Sequence, residues 1–149
     1  MRVMSTAVII STLSMGCAGA GASDLTDNVT VVATLQAKAE QAKARDKCFL
    51  YAELVNHMTD LAGRQLNSGD SEQASKTLEL IREYADKIHL DISDDSRKLK
   101  NAESLVKRTA YRLKDILHQA SYEDRPALEA TLKQLNEVQT QLMMQVFKK

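Results

Sequence analysis

CFLYAELVNHMTDLAGRQLNSGDSEQASKTLELI, residues 48–81, carries two apolar stripes separated by one strong stop. In its first half Cys48, Tyr51, Ala52, Val55, Met58, Ala62 and Leu66 recur at three- and four-residue steps, with Leu50, Leu54 and Leu61 beside them. That spacing lines one face of a 3.6-residue period and predicts an amphipathic helix. Asn67-Ser68-Gly69-Asp70 ends it. Gly69 suits the left-handed conformation that follows a helix end. Asp70 with Gln73 three residues on forms a capping-box pattern that starts the next helix, whose buried face is Ala74, Leu78, Ile81, Ala85 and Ile88.

Upstream, residues 36–47 offer mostly Ala against Lys, Gln and Glu. Helix propensity is high there but little apolar surface is on offer, so one helix over about 31–66 is expected, its first part projecting from the body. Downstream, the second helix covers about 71–90. A polar break then carries Asp94 and Asp95, which suit the positive start of a third helix. That helix, about 95–120, buries Leu99, Ala102, Val106, Leu113 and Ile116. Ser121 to Asp124 interrupt again, and Pro126 fits the first turn of a fourth helix over about 125–147. Its stripe is Leu128, Leu132, Leu135, Val138, Leu142 and Val146.

Composition agrees with this reading. One Pro, five Gly and 4% aromatics in 149 residues leave little material for turns or sheets. The fold class expected is all-α. Helices two to four would be roughly 30, 39 and 34 Å long at 1.5 Å per residue. Their short connections favour antiparallel neighbours, giving an up-down four-helix bundle with a long first helix projecting at its N-terminal end. The rival is two stacked helical hairpins.

Residues 61–81 motivate the rival. Leu61-Ala62, Gly69-Asp70, Ala74, Leu78 and Ile81 resemble the middle of one tetratricopeptide-type helical hairpin. Gln65 and Asp86 stand where that family carries Tyr and Pro, and no second copy at its 34-residue period is visible. The chain as a whole resembles the small exported all-helical proteins of bacteria, a resemblance that implies no activity.

Residues 1–22 have the parts of a cleaved secretory signal. Arg2 supplies the charge, Val3 to Met15 a short apolar run, and Ala20-Gly21-Ala22 before Ser23 the small-x-small cleavage pattern. The apolar run falls short of the roughly 20 residues that span a bilayer. A periplasmic or extracellular destination is expected, with Ala18-Gly19-Ala20 as a second cleavage pattern and a lipoprotein anchored at Cys17 as the alternative. Residues 23–30 read as a disordered start, leaving 31–149 as one helical domain. Cleavage would leave Cys48 as the one thiol, and its neighbours Phe49, Leu50 and Tyr51 favour burial.

Candidate chemistry is thin. His57, His89 and His118 fall on three separate helices without a second ligand one turn away, so no metal or cofactor is expected. Ser104 and Lys107 match a Ser-x-x-Lys pair, but the companion motifs and strand scaffold of such enzymes are missing. The carboxylates Asp94-Asp95 and Glu123-Asp124 stand at helix starts, where capping accounts for them. No enzyme is expected. Lys plus Arg and Asp plus Glu each number 20, so no overall field favours nucleic acid.

Two surface features remain. Between Arg97 and Lys114 seven cations (Arg97, Lys98, Lys100, Lys107, Arg108, Arg112, Lys114) meet one acid, Glu103. Such a face can be ordinary solvated exterior, or can meet an anionic membrane surface or acidic partner. Met143, Met144 and Phe147 extend an apolar strip beyond the needs of a four-helix core, suited either to packing on the overhang or to an adaptable contact surface. The functional expectation is a non-enzymatic module acting through protein contacts, self-association included, with an anionic-surface binder as the alternative.

Overall fold

The computed structural model describes residues 20–90 and 96–148. Among these residues every regular element is a helix: α1 (Ala20–Gln41), α2 (Ala44–Asn67), α3 (Ser71–Leu90), α4 (Ser96–Gln119) and α5 (Arg125–Phe147). The all-α expectation holds. The leader up to residue 19 and the carboxylates Asp94 and Asp95 lie outside the described residues.

The N-terminal region differs from expectation in two ways. Residues 23–30, expected as a disordered start, lie within α1. The single helix expected over 31–66 is two helices, because Lys43 is extended (φ −67°, ψ 148°). Ala42 N–H closes on Ala39 C=O at 3.3 Å, and Asp46 N–H opens the next turn on Lys43 C=O at 2.8 Å. Nothing in Ala42-Lys43-Ala44 breaks a helix by propensity. Tertiary burial breaks it: α1 packs against α2 and against no other helix among the described residues. Ala39 is fully buried there, and Val32 and Leu35 pack on the core. The overhang is therefore a packed helix, not a projection.

The α2–α3 turn follows its sequence signal. Gly69 has φ +80°. Its N–H donates to Leu66 C=O at 3.0 Å, and Asp70 N–H donates to Gln65 C=O at 2.9 Å, the paired bonds of a Schellman end. Asp70 Oδ1 then accepts the Gln73 N–H at 3.3 Å. The turn residue Asp124 behaves differently. Its side chain makes no cap bond to α5; Oδ2 accepts the hydroxyls of Ser121 at 2.6 Å and Ser71 at 3.3 Å. It ties the two hairpin turns together.

Helix pairing also departs from the sequential ring. α2 pairs with α3 and α4 with α5, but α3 does not pack on α4, nor α2 on α5, among the described residues. Instead α2 runs beside α4 and α3 beside α5. The Thr109 hydroxyl oxygen lies 3.1 Å from Asn56 Oδ1 across 53 residues. Gln134 Nε2 donates to Arg82 C=O across 52 residues at 2.9 Å, and Ser71 bonds Asp124 across 53. A nearly constant separation means parallel helices. The second hairpin therefore lies beside the first in the same orientation.

The reason lies in α2. Leu50, Leu54 and Leu61 are buried along with the main stripe, so its apolar surface reaches most of the way round. Two neighbours cannot cover that; α1, α3 and α4 together do. Corresponding positions of the two hairpins form one core. Cys48, Leu54, Val55 and Ala62 of α2 match Leu99, Leu105, Val106 and Leu113 of α4, and Ala74, Ile81 and Ile88 of α3 match Leu128, Leu135 and Leu142 of α5. Each large member contributes about 1.5–3 kcal/mol by leaving water. Four threonines share this core, and their hydroxyls donate to the carbonyl one turn back: Thr59 to Val55, Thr77 to Gln73, Thr109 to Leu105, Thr131 to Ala127. Those bonds remove the penalty of burying a bare hydroxyl.

Candidate interaction face

The basic face of α4 is divided by tertiary contacts. Lys98 pairs with Asp46, and Arg112 pairs with Asp60, both acids on α2. Both pairs run between the two hairpins at a partly exposed seam. Arg97, Lys100, Lys107, Arg108 and Lys114 are exposed. The expectation of one uniform basic face is thus narrowed, since Arg112 of the candidate set serves an internal joint.

Met143, Met144 and Phe147 are 40%, 53% and 77% exposed. α1 does not cover them, because it packs on α2. One further exposed side chain stands on the same hairpin. Tyr111 of α4 is 62% exposed and sits in a groove between α4 and α5 with Ala110, Lys107, Lys114, Leu132 and Asn136. Leu132 and Asn136 continue into a shallow, open cleft along the outer face of α5, lined by that helix alone, Met144, Glu137 and Thr140 among its residues. Among the described residues Gln141, beside this cleft, has a buried Oε1 without a hydrogen-bond partner. Sequence reasoning missed Tyr111, although a lone aromatic among cations on the polar side of a helix is a readable signal.

Of the remaining candidates the fold brings two together. Ser104 and Lys107 are both exposed on α4, and Ser104 lines a pocket with Glu53, Asn56 and His57 of α2 and Arg108 of α4. Cys48 is buried at 2% exposure, matching the expectation for its thiol. His57 is half-buried on α2, and His89 and His118 are exposed on α3 and α4. Among the described residues no three His, Cys, Asp or Glu side chains group as metal ligands, and no helix is long and apolar enough to cross a membrane. Ala20, Ala22 and Ser23, the residues of the cleavage pattern, fall in the first turn of α1.

The few shifted titrations are structural. Burial pushes the Tyr84 phenol up, partly offset by the Lys87 ammonium, whose Nζ lies 4.3 Å from the ring centroid. Tyr84 also packs against Tyr51 with centroids 5.7 Å apart. A hydrogen bond to Glu83 raises Lys87. Hydrogen bonding between Glu72 and Lys76 on the surface of α3 lowers the acid and raises the base. None of these groups lines the α4–α5 face.

Comparison with protein-family models, with curated proteins and with solved structures finds no match to this chain.

Proposed function

We propose that this chain is an exported, non-enzymatic helical module that works by protein contact through the outer face of α4 and α5. The observation that carries the reading is that Tyr111 of α4 and Met143, Met144 and Phe147 of α5 are all exposed on the second hairpin, with Leu132 shared by the α4–α5 groove and the outer face of α5. Exposed aromatics and methionines are what adaptable protein contacts use. Export rests on the leader pattern of Arg2, the apolar run to Met15 and Ala20-Gly21-Ala22. The fold that presents the face is four helices in two hairpins, with α1 as a fifth.

The test has two arms. Sequencing the N-terminus of the chain recovered from the cell envelope reads Ser23 first if the leader is removed as expected. A photo-crosslinking residue at Tyr111 or Met144 traps a protein, whereas one at Glu79 on α3 does not. Equal trapping at all three positions, or none at Tyr111 and Met144, defeats the reading.

A second reading has its own observation. Lys100, Lys107, Arg108 and Lys114 are all exposed on α4 and present positive charge to an anionic envelope surface. Co-sedimentation with phosphatidylglycerol vesicles, strong at low salt and lost at high salt, supports it. Unchanged binding after reversing these four cations to Glu refutes it.

A further inference from the structure

The hairpin stack has unequal ends. At one end α1 lies on α2. At the other, no described element covers α4 and α5 on the side turned away from the first hairpin, and the groove and cleft open there. That face has a charge pattern of its own. Lys107 and Lys114 stand on the α4 side, and Glu129 and Glu137 stand on the α5 side, with Lys133 between them.

The two rows are matched in spacing. Seven residues on α4 and eight on α5 span about 10.5 and 12 Å. They are matched in level as well. α4 and α5 are antiparallel, with Gln139 Nε2 donating to Glu103 Oε1 at 3.2 Å. Lys107 lies one turn along α4 from Glu103 and shares the groove with Asn136 and Gln139, while Lys114 is set further toward Leu132.

Building on the contact reading above, we propose that the partner of this face is a second copy of the same chain. The two copies join by a two-fold axis parallel to the helices. Such an axis lays α4 of one copy on α5 of the other. Lys107 then meets Glu137 of the second copy and Lys114 meets Glu129, each pair occurring twice, and Tyr111, midway between the two lysines, stands level with Leu132 and Lys133 of the second copy. A two-fold axis across the helices would lay α4 on α4 and set Lys against Lys. The charge pattern selects the first arrangement. The size is sufficient. Two helices about 35 Å long and about 9–10 Å apart present roughly 700 Å² per copy, within the standard class of stable interfaces.

Sedimentation velocity of the full chain in reducing buffer tests this. The expected result is a dimer at micromolar concentration. Lys107→Glu with Lys114→Glu weakens the dimer about tenfold or more, and Glu129→Lys with Glu137→Lys does the same. Mixing the two variants restores a dimer, because both charge pairings are then complementary. Helical circular dichroism confirms that each variant is folded, and if one pair of substitutions prevents folding the other still gives the answer. A wild-type monomer throughout, a dimer indifferent to both reversals, a mixture that does not associate, or an assembly that grows without limit each overturns the proposal. A monomer that still yields site-specific crosslinks from Tyr111 to another protein would remove this inference and leave the contact reading standing.

Discussion

At Gly63 the two hairpins come close enough for a single methyl to decide the sign of a stability change. A Cβ built on Gly63 in α2 would stand 3.0 Å from Ile116 Cδ1 and 3.4 Å from Ile116 Cγ1 in α4. Gly63→Ala gains about 1 kcal/mol in helix propensity. Against that, the terminal methyl of half-buried Ile116 must swing aside, at about 0.5–1.5 kcal/mol for a displaced rotamer. The two nearly cancel, so Gly63→Ala alone changes stability by less than about 0.5 kcal/mol. Ile116→Val removes the Cδ1 atom, and in that background Gly63→Ala recovers its full gain of about 1 kcal/mol. The assay is urea unfolding followed by helical circular dichroism for the wild type, the two single variants and the double variant. A coupling of about 1 kcal/mol is expected. If Gly63→Ala stabilises equally in both backgrounds, with coupling under about 0.3 kcal/mol, the two side chains do not touch. The parallel placement of α2 against α4 would then be wrong.

Three other outcomes follow from the same geometry. Gly69→Ala is expected to destabilise by about 1–2 kcal/mol despite open space around it, because φ of +80° is strained for an L side chain; a neutral urea midpoint would contradict this. Thr109→Val keeps the shape but removes the hydroxyl that donates to Leu105 C=O and lies against Asn56 Oδ1, and about 1 kcal/mol should be lost in the same assay. The Tyr84 phenol is raised above the ordinary tyrosine range chiefly by burial. The unfolded chain therefore ionises first, and stability present below that pH is lost as pH rises through the folded value. Tyr84→Phe should flatten this alkaline loss, and an unchanged alkaline slope of stability would show that another group controls it.

Local chemistry made much of this fold legible. The Asn67–Asp70 turn carries its own instructions, since Gly69 can adopt positive φ and Asp70 can cap, and both act within a few residues of themselves. The stripes of α3, α4 and α5 were readable for the same reason: helical periodicity states which face is buried. The exposure of Met144 and Phe147 was legible only as a surplus of apolar surface. Tyr111 was overlooked because its meaning depends on Leu132 and Asn136, which stand on another helix.

The amino-acid order by itself determined where the chain is helical from α2 onward, where it turns at Gly69, and which faces avoid water. Tertiary structure alone decided that the chain bends at Lys43, that α2 takes three neighbours, and that Lys98 and Arg112 pair with Asp46 and Asp60 across the two hairpins. Periodicity identifies an apolar face but not the face it meets. The partners of these charges lie some fifty residues away in sequence, and the surplus of buried surface on α2 settles how the hairpins lie together.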